Sequence, residues 1–259
     1  MTYSIIGTGN MAWFLVKRLK TAGHLCDGIW GRNATTAKAL AAEMNVNSYK
    51  NINAITDGEV DICFVTVPDH EIGKAVSKLS FEKTVLAHTA GSADLEVLQE
   101  HAKDCAMLWP VYSISKNSIP DHRNIPAAWE ASTARAKRYI TTMGHSITDN
   151  LFEAGIEKRK WLHLSAVIGN NFINHMVAIC EDICKEQDLS FDTLQPILQQ
   201  PFDRLQNHKA KMVQTGPAMR HDEEVIERQI ALLESHPDWQ ELYKAISSSI
   251  ENMYSEKTV

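Results

Sequence analysis

Apolar residues recur along residues 1–150 in two rhythms that alternate. Short unbroken runs, such as Tyr3-Ser4-Ile5-Ile6 and Val60-Asp61-Ile62-Cys63-Phe64-Val65-Thr66-Val67, are separated by stretches in which apolar side chains return every three or four positions. The runs have the length and branching of buried strands, and the periodic stretches present one apolar helical face. Strands are predicted from residue 3 and over residues 24–30, 45–49, 60–67, 84–89 and 105–109, with helices over 11–19, 34–44, 71–79 and 132–143. Pro68 ends the central strand, residues 52–56 form a brief helix or turn, and Ser92 caps a helix through Leu95 and Leu98. Residues 110–126 are loop-rich, followed by a strand at 127–130 and an edge strand at 145–149. This strand–helix rhythm implies a parallel sheet with helices on both faces.

The period changes near residue 150. Residues 156–185 read as one long helix with Trp161, Leu164, Ile168, Phe172, Met176 and Ile179 inward, followed by helices at 192–199, 201–211, 222–234 and 239–251. The expected organisation is an α/β domain over residues 1–150 and an all-helical domain over 151–259. So long an apolar helix needs more cover than its own domain supplies, and a homodimer through the C-terminal helices is expected.

Composition narrows the class. The 259 residues are 44% hydrophobic and 22% charged, as in a soluble globular protein. No stretch approaches the roughly 18 apolar residues of a membrane span, and Ile5-Ile6 reads as strand, not signal peptide. A formal charge of −6 without a basic stripe argues against nucleic acid as a partner. The five cysteines form no disulfide framework, and Cys180 and Cys184, one helical turn apart, have no second pair or nearby His to make a zinc set. No metal site is expected, and a reducing cytoplasm suits the thiols.

The chemistry begins where the first strand ends. Gly7-Thr8-Gly9-Asn10-Met11-Ala12 is a Gly-x-Gly-x-x-Ala sequence between a strand and a helix. Gly7 allows the tight turn, Gly9 lets backbone approach phosphates, and Ala12 keeps helix close to sheet, while the helix N-terminus attracts the anion. This is the order of a Rossmann-type dinucleotide site; a plain turn or another nucleotide ligand are the competing readings. The second strand ends in Gly31-Arg32-Asn33, where a site for NAD usually carries an acid. An Arg there pairs with a 2′-phosphate, so Arg32 points to NADP, whereas a merely solvated Arg32 leaves the cofactor open. Asp27 lies too early in the strand to serve the ribose, and Asn33 and Thr35 are candidate caps for the next helix.

Ligands of such sheets lie beyond the carboxyl ends of the strands. That rule selects Gly7 to Met11, Arg32-Asn33, Val67-Pro68-Asp69-His70, His88-Thr89-Ala90-Gly91-Ser92 and Trp109-Pro110-Val111-Tyr112. Val67 and Pro68 are expected to line the cofactor, and Asp69 to cap a helix. His88 points either to the cleft, as a cofactor or catalytic residue, or to a neighbouring loop that satisfies it. On the long helix, Lys160, Val167, Asn171 and Asn174 or His175 recur near one face, with His163 one turn from Lys160 and Asn170 seven residues further along that stripe. Asn170-Asn171 amid apolar residues is a candidate clamp for a substrate carbonyl or carboxylate, or a helix cap, and His163 is a candidate proton donor. Thr215-Gly216-Pro217-Ala218-Met219-Arg220-His221-Asp222 reads as a rigid turn into a helix capped by Asp222, with Arg220 as an anion anchor or one half of a structural pair.

Nearly the whole chain resembles the Rossmann-like proteins whose helical C-terminal half is the domain of unknown function 2520. The resemblance rests on Gly7-Thr8-Gly9-Asn10-Met11-Ala12, Val67-Pro68-Asp69, His88-Thr89-Ala90-Gly91, Trp161-Leu162-His163 with Asn171, and Thr215-Gly216-Pro217 with Arg220-His221-Asp222. These proteins are related to NADP-dependent reductases of the pyrroline-5-carboxylate reductase and beta-hydroxyacid dehydrogenase types, which implies the fold and an NADP-like cofactor but no established substrate. The family pattern has His-Pro at Trp109-Pro110 and Arg-Gly-Asp at Arg220-His221-Asp222, so that turn either no longer needs positive φ or shapes a different pocket. The related dehydrogenases use a Lys four before Asn, where this chain has Val167. The expected function is an NADP-dependent oxidoreductase reducing a small carbonyl or imine in the interdomain cleft, with His163, Asn171 and His88 as candidate catalytic residues. The alternative is a non-catalytic NADP(H)-binding or redox-sensing protein; FAD in the same crevice is a third reading that Arg32 disfavours.

Overall fold

The computed structural model describes residues 1–255. Two compact units emerge, Met1–Gly169 and a second starting at Asn170. The first unit is built on a seven-stranded sheet in the order β2-β1-β3-β4-β5-β6-β7. Its strands are β1 (Thr2–Ile6), β2 (Leu25–Trp30), β3 (Ile62–Val65), β4 (Val85–His88), β5 (Cys105–Pro110), β6 (Ala127–Ala131) and β7 (Leu151–Glu153). Every residue of β3, β4 and β5 is buried, which is why these strands read as unbroken apolar runs. One face carries α1 (Asn10–Thr21), α2 (Ala34–Met44) and α5 (Ala134–Ile147), whose Phe14, Leu40 and Ile140 share a core with Ile5 and Phe64. The other carries the short α3 (Ile72–Val76) and α4 (Glu96–Gln99), with Ile72, Val76 and Leu98 packed on Ile6, Val65 and Met107.

β1 lies between β2 and β3, so the chain reverses its direction of winding at β1. In open α/β sheets this switch point leaves a crevice beyond the carboxyl ends of the strands. β1 to β5 are parallel, as the sequence indicates, but β6 runs antiparallel to β5 and β7 follows β6. The segment after Pro110 contains no helix to carry a parallel crossover, and it returns along the edge of β5 instead.

Three local expectations are corrected. Residues 45–49 make a single bridge, Ile29 to Ser48, not a strand. Residues 145–147 are the last turn of α5, because Ala136, Ile140, Met143 and Ile147 continue one buried stripe from the Thr133 cap. The edge strand is the later Leu151–Glu153, which approaches closely because Gly144 presents no side chain to Leu151. The anticipated long helix is α6 (Ile156–Ala166), a π-helical stretch Val167–Phe172, and α7 (Ile173–Glu186). Trp161, Leu164, Ile168 and Phe172, expected inward, are 69%, 46%, 53% and 57% exposed, while Ile179 is buried. Periodicity marks a face that avoids water without specifying what covers it.

The described residues of the second unit hold helices and no strand, with α8 (Gln195–Leu205), α9 (Glu223–Leu232) and α10 (Pro237–Tyr254) after α7. α8 runs through Pro201, where the sequence suggests two helices. Asp222 caps α9 by accepting from the Val225 amide at 3.3 Å, as expected. His221 keeps the left-handed backbone at φ 54, so the turn does need positive φ although its residue is not glycine. No helix among the described residues is long and apolar enough to cross a membrane.

Candidate functional site

The switch point is assembled from backbone. Gly7 leaves β1 at φ +126, its amide donating to the Trp30 carbonyl at 2.8 Å. Thr66, just past β3, donates from its hydroxyl to Ile6 and lies so close that a Cβ at Gly7 would overlap it. Only glycine satisfies both conditions. Gly9 is the N-cap of α1 and supplies no side-chain cap, and the first turn contains no acidic residue. The free amides and positive end of the helix therefore face an opening. A Cβ built on Gly9 would meet no atom within 4 Å, so this glycine borders open space, as a phosphate cradle requires.

The end of β2 closes the opposite wall. Asn33, which lines the same space, caps α2 by accepting from the amides of Thr35 and Thr36 at 2.9 and 3.2 Å. Gly31 has no Cβ to collide with Thr8. A cavity of about 400 Å³ lies between these walls, lined by Gly7, Thr8, Gly9, Trp30 to Asn33, Thr66, Val67, Pro68, Glu71, Lys74 and Ala75. Of the expected cofactor residues, Asn10, Met11 and His88 are outside it. The Asn10 side chain accepts from the Lys116 amide at 3.1 Å, and Met11 packs on the core.

Glu71 and Lys74 also line the cavity, and no local motif marks either for this site. Arg32 Nη1 donates to Glu71 Oε2 at 2.9 Å, so an acid does reach the end of β2, from the segment after β3. Spacing from the glycines points only to the end of β2 and cannot reveal a partner thirty-nine residues on. Asp69 caps no helix; it accepts from the Ser92 hydroxyl, and Ser92 is thereby diverted from the capping role assigned to it. Asp27 accepts from the Tyr49 hydroxyl, away from the cavity.

The ends of β4 and β5 lie further along the same sheet edge. His88 is fully buried, and its Nδ1 accepts from the Ala90 amide at 3.2 Å. Burial, reinforced by the nearby Arg159 charge, lowers its pKa to about 4, so the ring is neutral near pH 7. The Trp109 ring lies against Gly91 and is tilted against His163 at a centroid distance of 5.8 Å. His163 is solvent-exposed, whereas Arg159, one turn earlier, is fully buried. Arg159 donates to the carbonyls of Gly91, Ala93 and Ala154 at 3.2, 2.7 and 2.9 Å and forms an ion pair with Glu130. It ties the loop after β4 to α6, a role its surface-like position in the pattern did not signal. In the second unit Asn170 and Asn171 are exposed and bond to one another at 3.1 Å, so they are not the buried amides inferred from their apolar neighbours. Arg220 is also exposed. No group of three or more metal-ligating side chains occurs among the described residues.

Comparison with known proteins agrees with this architecture. Residues 2–91 match the family described as "NADP oxidoreductase coenzyme F420-dependent", and residues 125–250 match the domain of unknown function 2520. A Bacteroides fragilis protein described provisionally as an NADP oxidoreductase is 29% identical and superposes with a TM-score of 0.88 over 97% of this chain and 98% of its own. A Thermotoga maritima protein has a TM-score of 0.71 at 21% identity, covering 99% and 100% of the two chains. For the pyrroline-5-carboxylate reductase of Streptococcus pyogenes the values are 0.65 and 14%, with 97% and 98% covered, a likeness of fold. The glucose-fructose oxidoreductase domain-containing protein 2 of Xenopus laevis is 29% identical over 92 residues, 34% of this chain, and the match spans only 24% of that relative's length. The chain thus combines an F420-oxidoreductase-like Rossmann fold with a C-terminal stretch matching the domain of unknown function 2520, and shares its fold with the pyrroline-5-carboxylate reductases.

Proposed function

We propose that this protein is an NADP-dependent oxidoreductase that reduces a small carbonyl or imine. The observation that carries the reading is Arg32 on the wall of the cavity whose opposite wall is the uncapped N-terminus of α1. The amides at Gly9 and the start of α1 would hold the pyrophosphate, and Gly9 leaves space for it. Arg32, beside the capped N-terminus of α2, would take the 2′-phosphate. The residues present fit the group. When bound, NADPH supplies a hydride from nicotinamide C4.

The chain's own part is orientation and proton supply. The loop after β4 and the Trp109-Pro110 end of β5 would form the floor of the reacting region, and Arg159 holds that loop in place. His163, exposed beside Trp109, would give the proton to the carbonyl oxygen or imine nitrogen as the carbon is reduced. His88, sealed and neutral, would support the loop through Ala90. Asn171 remains a candidate for the substrate. The exposed apolar side chains at Trp161, Leu164, Ile168 and Phe172 support a homodimer, and the free cysteines suit a reducing cytoplasm.

The test is direct titration with NADPH and NADH. Arg32→Ala should weaken NADPH by about tenfold or more and NADH far less; equal losses would sink the phosphate assignment. With a substrate in hand, His163→Ala should lower kcat, and an unchanged rate would remove it from the mechanism. A second reading, a non-catalytic NADP(H) sensor, draws on the sealing of His88, which leaves His163 as the imidazole available beside Trp109. Persistent NADPH binding without turnover of any carbonyl or imine would favour it.

A further inference from the structure

We propose that Glu71 is a cofactor-discriminating residue, holding the preference for a 2′-phosphate in check by occupying Arg32. This rests on the reading that the cavity receives the adenosine end of a dinucleotide. Glu71 Oε2 accepts from Arg32 Nη1 at 2.9 Å, and both residues line the cavity. The Glu71 side chain is only 22% exposed, against 66% for Arg32, so the carboxylate is the more buried member of the pair. The other carboxylate oxygen has His70 Nε2 at 3.9 Å. Lys74, one helical turn further on, lines the same cavity as a second cation.

Two opposed demands meet at this point. A ribose 2′-phosphate brings up to two negative charges, which Arg32 and Lys74 attract and Glu71 repels. Arg32 meets the phosphate either by giving up its Nη1 contact with Glu71 or by offering its remaining donors beside a carboxylate that repels the anion, so in both cases Glu71 offsets part of the phosphate interaction. A ribose 2′-hydroxyl has no such conflict, since it can donate to the Glu71 carboxylate as it would to an acid at the end of β2. The acid typical of NAD sites is thus supplied from the neighbouring crossover, and Arg32 and Glu71 together make a site that admits both cofactors. Arg32 sets the pull toward NADPH and Glu71 limits it.

The experiment is titration of the full chain with NADPH and with NADH, followed by cofactor fluorescence, for wild type, Glu71→Gln, Glu71→Ala and Arg32→Ala. Both Glu71 variants should bind NADPH about three- to tenfold more tightly and NADH no more tightly, and the gain should shrink as salt is raised. An unchanged ratio of NADPH to NADH affinity in both variants, or weaker NADPH binding, overturns the inference while leaving the dinucleotide reading intact. Wild-type protein that binds neither cofactor overturns both.

Discussion

Arg159 and Glu130 form an ion pair in which the guanidinium is fully buried and the carboxylate side chain keeps 29% of its exposure. The same guanidinium donates to the carbonyls of Gly91 and Ala93, so one side chain joins β6, the loop after β4 and α6. Replacing it leaves those carbonyls without a donor inside the unit. We expect Arg159→Met to lower stability by about 2–4 kcal/mol, with Arg159→Lys recovering less than half because an ammonium cannot reproduce the fork. Urea unfolding measures this, and a loss under about 1 kcal/mol would contradict the clamp.

The buried His88 ties stability to pH. Its folded pKa, about 4, lies below the ordinary value of 6.5, so the unfolded chain binds the proton more readily. Stability from this group is present above the ordinary value and is lost as pH falls through the window down to the folded value. Between pH 7 and pH 4, wild type should lose about 3 kcal/mol relative to His88→Gln. A difference between the two stability profiles that stays constant across that window would be the contrary result.

Gly7 and Gly9 should separate folding from binding. Gly7→Ala forces a side chain into Thr66 at φ +126, and we expect a loss of about 2–4 kcal/mol. Gly9→Ala has ordinary backbone angles, φ −78, and an open space for its methyl group. It should leave stability within about 0.5 kcal/mol while weakening NADPH by about tenfold or more. Thermal unfolding and titration on the same samples decide it; tight NADPH binding by Gly9→Ala would move the phosphates elsewhere.

His221 holds a left-handed conformation at φ 54 in the turn before α9. That conformation strains a residue with a Cβ, and the amides of His221 and Asp222 fix it by donating to Ala218 and Pro217 at 3.3 and 3.0 Å. His221→Gly should therefore raise stability by about 0.5–1 kcal/mol, the relief exceeding glycine's added chain entropy. Destabilisation in thermal unfolding would mean that the imidazole makes an interaction worth more than the strain.

Local chemistry explains what was legible beforehand. The positions of β1, β3, β4 and β5 follow from apolar runs that both faces of the sheet must bury, and the start of α1 from two glycines with separate steric duties. Asn33 and Asp222 cap the helices expected of them because a cap acts within three residues. Asp69 and Ser92 fail for the complementary reason: each found a tertiary partner in the other.

The amino-acid sequence by itself thus determined the sheet-and-helix rhythm, the glycine turn after β1, the Arg at the end of β2 and the helical second half, since each depends on periodicity or on neighbours a few residues apart. The reversal of β6, the meeting of Arg32 with Glu71, the burial of His88 and the Arg159 clamp were decided only by the tertiary structure. Each joins segments distant along the chain, and side-chain type specifies the capacity to pair without naming the partner that folding brings within reach.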